Sequence, residues 1–451
     1  MIRRIFLLPF VVLAFASSLE AQQDTTRLPT GVRLGMIYQT LQRPVLAVRP
    51  FTAEDGLEWA AEEVGAIVRR DLDYSDRFEI FETPPQLATG PVDYDAWNGL
   101  GVVYVVTGAV EALEDGILLR LTLHDVVYGN VRQQQAFAIP PTDSPAFRMA
   151  VHAASDEVVR WVTGQPGMAA SRIVFRRQNA DGSTDLMVVD SDGENVRRLT
   201  RSEELIYSPT WSPDGRRVAY TAQHPDGTWD LLELEVESGQ VRKLTARPGT
   251  TLTPAYSPDG RRIAFGLWTG RSTDLYEYDL ETRRLRVLRE GPGEDMSPSY
   301  SPDGRQIAFM SDRIGQPHIY VMPTDGGEAT LISPYTYGEP GYYTSPEWSP
   351  ESSLVAFHGR SRGQFQIMVA DAARPGSTVQ QLTSGGVSQD PSWAPDGRHL
   401  VFVGVREGGA GLYVIDAASG RTRPLVLDSR VRLPDWSPAL LRASALMVSG
   451  R

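Results

Sequence analysis

Six histidines are the residues best suited to hold a metal or relay a proton in this 451-residue chain. His124 and His152 fall in its first third. His224, His318 and His358 lie in or beside short turns of different repeats, and His399 opens an apolar run. Three histidines converging on one face would bind a divalent cation, but turns of separate repeats set back from a common axis do not converge. Asp-Ser-Asp-Gly at 190–193 begins like a calcium loop but lacks the later ligands and the closing glutamate, so it reads as a tight turn. The chain has no Gly-x-Ser-x-Gly elbow, no His-Glu-x-x-His pair and no P-loop. It also has no cysteine, which excludes thiolate metal sites, cysteine nucleophiles and disulfides. The residues therefore point to no catalytic group, no cofactor and no metal.

The elements that position these residues repeat. An aromatic-Ser-Pro-Asp-Gly marker occurs at 211–215, 256–260 and 300–304. Weaker copies follow at 348–352, 393–397 and 436–440, a period of roughly 45 residues, which signals propellers or solenoids. Each period holds short apolar or alternating runs of three to seven residues bounded by turn formers, and no useful helical period. Four short antiparallel strands per repeat make a propeller blade. With the marker strand named a, and b, c and d following, the region opens on b at Arg172 and ends on a lone a at Trp436. Pairing the last a with the first b-c-d gives six blades and leaves no open sheet edge. The Pro, Asp and Gly of the marker serve the turn, and its aromatic packs between blades.

Residues that break a repeat are better candidates for function than residues that make it. The loops entering strand a ring the channel mouth and differ most between blades: 201–207, 246–252, 290–296, 334–344, 384–389 and 428–432. The loop 334–344 is the longest and carries four tyrosines, a composition suited to protein interfaces. Glu204, Tyr207, Thr250, Asp295, Met296, Tyr342, Tyr343, Gln389 and Arg432 are the candidate partner-binding residues. Glu203, Glu204, Glu294 and Asp295 predict an acidic mouth and a basic patch on whatever docks there.

Ahead of the propeller, residues 1–21 show a short basic start, a 12-residue apolar run and small residues, the pattern of a cleaved secretory signal. That run is too short to span a bilayer. Residues 22–44 form an extended segment and 45–165 a small α/β domain. In that domain helical spacing covers 57–72, a short helix 94–100, and three strand candidates 102–138. A last helix starts at Ser144 and stops near Gly164. The propeller spans 170–438, and 439–451 is expected to be a loosely held tail. A formal charge of −12 argues against nucleic acid and against a basic membrane-surface protein.

In this order of parts the chain resembles the TolB family, periplasmic propeller proteins of the Tol-Pal system. The resemblance rests on Arg-Pro-Val-Leu-Ala-Val at 43–48, Asp-Ala-Trp-Asn-Gly-Leu-Gly at 95–101 and His-Ala-Ala-Ser-Asp-Glu-Val at 152–158. The closing Pro-Asp-Trp-Ser-Pro at 434–438 adds to it. It implies a non-enzymatic periplasmic adaptor that binds the lipoprotein Pal through the propeller mouth. It also implies contact with TolA through the N-terminal segment, where Val32, Arg33 and Leu34 match and 35–39 depart from the pattern. Such an adaptor supports outer-membrane integrity and constriction at division. It acts as a monomer, is peripheral to membranes only through its partners, and leaves room for other outer-membrane proteins.

Two alternatives come from other classes. A propeller lyase or peptidase-like enzyme needs histidines and acids converging on the axis. A cell-wall carbohydrate-binding module needs tryptophans in the mouth loops, and none of the nine tryptophans lies in a loop entering strand a.

Overall fold

The structure, a computed structural model, describes residues 34–35, 43–201, 204–245, 250–336, 338 and 341–448. The expected leader therefore lies outside the described residues, as do Val32 and Arg33.

Alternating strands and one amphipathic helix face build the first domain. Val45–Val48, Glu79–Phe81, Tyr104–Leu113, Gly116–Asp125 and Asn130–Ile139 form a mixed sheet. Helices α1 (Glu58–Tyr74) and α3 (Phe147–Thr163) bury Val64, Ile67, Val68, Val151 and Val158 against it. Between them α2 (Tyr94–Gly99) is capped by Asp93, whose carboxylate accepts the Ala96 N–H at 3.0 Å. The last helix begins later than Ser144. That serine makes a turn first, its hydroxyl accepting from the Ala146 N–H at 3.2 Å. Gly164, at φ 70°, ends α3 as expected.

The propeller has six four-stranded blades, with strand a innermost. Blade one combines Arg172–Gln178, Thr184–Asp190 and Arg197–Arg198 with the final strand Val431–Trp436 as its a strand. Trp436 pairs with Ile173 antiparallel, which closes the ring as the strand count predicts. In the four markers that keep the glycine, the turn chemistry is as read, with Gly215, Gly260, Gly304 and Gly397 at positive φ. Gly215 takes φ 68°, and the Ser212 hydroxyl accepts from the Arg217 N–H at 2.9 Å. The marker aromatics sit between blades: Trp211 packs in one cluster with Val174, Leu186 and Val188 of the preceding blade. The Tyr256 and Tyr300 hydroxyls reach back to Glu233 and Glu277, at 2.6 and 2.7 Å.

The α/β domain covers the face formed by the a–b and c–d turns, so the mouth formed by the loops entering strand a faces the other way. Charged pairs cross between the domains. Asp192 of blade one meets Arg148 of α3 at 2.5 Å and Arg70 of α1 at 3.1 Å. Asp76, just after α1, meets Arg421 at 2.9 Å and His399 at 3.3 Å. The Arg423 guanidinium lies 4.0 Å over the Tyr74 ring.

The tail corrects the expectation of a loose end. The Ala138 N–H donates to the Leu446 carbonyl at 2.9 Å and the Val448 N–H to the Ala136 carbonyl at 3.1 Å. The segment thus pairs with the outer edge of Asn130–Ile139. Leu441 and Leu446 pack on the first domain's core, and Ala443 is buried in it. No local pattern marked this, because the partner strand lies some three hundred residues away. Removing residues 439–451 is expected to cost about 2–3 kcal/mol, from the lost apolar burial of two half-buried leucines and one alanine. Denaturant unfolding checks the cost, and hydrogen exchange at 136–138 should rise with it. An unchanged midpoint with unchanged exchange would return the tail to a passive role.

Candidate functional site

The channel is shaped by one irregularity repeated six times. Ser208, Thr253, Ser297, Ser345, Asp390 and Leu433 all take positive φ, between 45° and 53°. Each stands before a proline in strand a, where the pairing with strand b shifts register. Non-glycine residues held there cost on the order of 1–3 kcal/mol each unless their surroundings enforce them. Here the neighbours do: the Ser297 N–H donates to the Thr253 hydroxyl at 2.9 Å, and the Ser345 hydroxyl to Asp390 at 3.3 Å. The result is a bulged ring around a cavity of about 260 Å³. The x-Pro step inside each marker strand was the signal for it, and the sequence reading passed over it.

Deeper in the wall, the residue before the marker aromatic stitches blade to blade at four positions. Ser299 accepts the Trp348 N–H at 2.9 Å, Glu347 that of Trp393 at 3.0 Å, and Ser392 that of Trp436 at 2.8 Å. Asp435 accepts the Trp211 N–H at 2.6 Å. Burial pushes the Asp435 carboxyl up to about 7, and burial together with Asp435 pushes Glu347 well up.

Around the mouth the candidate residues separate into those that face solvent and those that support them. Tyr342 is 40% exposed, its ring edge-on to Phe365 at 5.6 Å. Tyr343 is buried between His318 and Phe357, and Asp295 is buried between Arg289 at 3.1 Å and Arg313 at 3.2 Å. Burial removes these two from the contact surface and makes them supports. Tyr207 is half-buried, its ring tilted against Trp229 at 5.3 Å. Thr250, Met296 and Gln389 are half-buried on their strands, and Arg432 is exposed. Glu204 binds His224 at 2.8 Å, and His224 binds Asp230 at 2.8 Å, so Glu204 already has a partner within the chain. Glu294 accepts the Thr273 N–H at 3.0 Å. Of the described acids from which an acidic mouth was expected, Asp295 is matched by two arginines, Glu204 is paired with a histidine and Glu294 accepts a backbone N–H. Glu203 lies outside the described residues. The sequence reading also missed Trp268, which is 45% exposed and sits opposite Thr250 across the sheet.

The histidines do not come together. His318 binds the Ser333 hydroxyl at 2.8 Å, and burial pushes it down to about 4. His358 binds the Thr344 hydroxyl at 2.9 Å and accepts the Asp390 N–H at 3.1 Å. His124 lies against the Tyr94 hydroxyl in the first domain, while His152 and His399 serve the interface between the domains. His152 holds Asp71 at 2.9 Å. Burial works against its charge, but Asp71 outweighs it and raises the imidazole.

At the N-terminal segment, Leu34 and Gly35 pair in parallel with Val379 and Gln380, adding a fifth strand to the blade that carries Tyr343–Trp348.

Fold and site together define a two-domain propeller scaffold: a closed ring whose one face is covered by an α/β domain and whose other face presents irregular loops around a channel. Residues 159–440 match the TolB beta propeller domain, and residues 37–132 match the TolB amino-terminal domain. The chain belongs to the TolB family. A Tol-Pal system protein TolB from Thioalkalivibrio sulfidiphilus is 36% identical over 181 residues, 38% of this chain and 41% of that protein. One from Nitrosomonas europaea is 35% identical over 176 residues, 38% of this chain and 40% of that protein. The match thus spans about two-fifths of the length of these curated relatives. The crystal structure of TolB from Acinetobacter baumannii superimposes with a TM-score of 0.77 at 25% identity, covering 90% of this chain and all of that one.

Proposed function

We propose that this chain is a non-enzymatic periplasmic adaptor of the Tol-Pal system. It binds Pal through the propeller mouth and TolA through its N-terminal segment, in support of outer-membrane integrity and constriction at division. The observation that carries the reading is the asymmetry of the ring. One face is occupied by the chain's own α/β domain, while the other offers exposed Tyr342, Trp268 and Arg432 around an open channel. Aromatics and arginine are the residues in which protein-docking surfaces are enriched. The separation of the histidines favours this over a metal-dependent lyase.

Calorimetric titration with the Pal domain from the same organism tests the reading. Saturable one-to-one binding is expected, weakened by about 1–2 kcal/mol in Tyr342→Ala. Tyr342 is chosen because removing buried Tyr343 would hollow the core beneath the loop. Absence of binding by the unaltered chain would overturn the Pal contact. The same titration with TolA, on the chain with and without residues 22–33, reads the second contact, which requires those residues for binding.

A further inference from the structure

Arg176 and Arg432 are direct partners across the seam that closes the ring, Arg176 on strand b and Arg432 on strand a of blade one. Paired residues on antiparallel strands project to the same side of the sheet, and like charges placed directly opposite are destabilising. Proteins usually relieve such a contact with a carboxylate, and here none is present among the described residues. Arg432 donates to the carbonyls of Ser429 and Val431, at 2.8 and 2.6 Å. The buried Nε of Arg176 has no partner among the described residues. Its guanidinium carbon lies over the Tyr207 ring, 4.8 Å from its centre, and that ring is tilted against Trp229 at 5.3 Å. Of the acids beside the seam, Asp428 is already shared by Arg177 at 3.0 Å and Arg430 at 2.9 Å, and Asp435 accepts the Trp211 N–H at 2.6 Å. In this sector Arg176 and Arg432 are thus left without a carboxylate partner among the described residues.

We propose that Arg176 and Arg432 form a carboxylate-binding pair that receives an Asp or Glu side chain of the protein docked at the mouth. The guanidinium fork matches a carboxylate through two parallel hydrogen bonds, and stacking on Tyr207 fixes one fork in advance. Burial and the neighbouring Arg432 both disfavour the charge on Arg176, and the opposite charge of an incoming carboxylate offsets both. This sector asks the partner for an acidic group, where the acidic residues in the mouth loops had pointed to a basic one. The pair was not legible as a site because its members stand 256 positions apart and meet only when the ring closes.

The inference rests on the mouth being the docking face, and the experiment separates the two. In titrations with the Pal domain, Arg176→Met and Arg432→Met are each expected to weaken binding about tenfold or more and to flatten its salt dependence. Arg176→Lys, which keeps the charge but loses the fork, should fall between. If Pal binds all variants within about twofold of the unaltered chain, the carboxylate pair is overturned and the docking face stands. If the unaltered chain does not bind Pal, the docking reading falls and glutarate becomes the probe. Millimolar glutarate should raise the melting temperature above that in sodium chloride of equal ionic strength, and the double Met variant should not respond. Equal responses of the two chains would overturn the pair.

Discussion

His399→Gln is expected to destabilise the chain by about 3 kcal/mol at pH 6 relative to its effect above pH 9. His399 is fully buried where the sixth blade meets the α/β domain. Its Nδ1 lies 2.7 Å from Asp396 and its Nε2 3.3 Å from Asp76. Burial alone would lower the imidazole, but the two carboxylates outweigh it and hold it at about 9. A free histidine titrates near 6.5, so the folded chain binds this proton more tightly than the unfolded one. The stability it contributes is complete below about pH 6.5, falls as pH rises, and is gone above about 9. Two and a half pH units correspond to roughly 3 kcal/mol. Urea midpoints of both chains at pH 6 and above 9 measure the difference. The same cost at both pH values would mean that His399 is neutral and only fills space. His152, raised by Asp71, adds a slope of the same sign that the Gln variant retains.

That site shows where sequence reading stops. The blades were legible because everything that makes one is local. Ser212, Asp214 and Gly215 build the turn within six residues, and the marker aromatic fixes the strand before it. Ring closure followed from counting strands, since an unpaired first b and last a have only each other. The mouth was legible as loops but not residue by residue. Tyr342 and Tyr343 are adjacent and of one type, yet the strand Tyr343–Trp348 begins between them, and alternation turns one outward and the other in. Asp295 looked like surface charge because Arg313, which covers it, comes from the following turn. His399 and Asp76 are 323 positions apart, and nothing in the spacing around either announces the other. What failed to show was the exact start of a strand at Tyr343 and the pairings, such as His399 with Asp76, that only the folded chain makes.

The largest loss is expected at the closure itself. Trp436→Ala should cost about 3–5 kcal/mol, the range for removing a buried tryptophan from a packed core. The other marker aromatics join blades that are also consecutive in the chain, whereas Trp436 joins the two ends of the propeller. Its ring packs with Met168, Ile173, Phe175, Val401 and Val414, so it bridges the first and last blades. The indole N–H donates to the Ser171 hydroxyl at 2.7 Å, and the backbone N–H to the Ser392 hydroxyl at 2.8 Å. Truncation leaves a cavity where the seam Val431–Trp436 against Arg172–Gln178 is stitched. Trp436→Phe keeps most of the volume and loses the indole donor, so about 1–2 kcal/mol is expected of it. Hydrogen exchange separates closure from general destabilisation. Below the global midpoint, Trp436→Ala should raise exchange at 172–178 and 431–436 before the middle blades respond. Uniform loss of protection around the ring would show that the seam opens no earlier than the rest. The aromatic at the seam would then be one core residue among several.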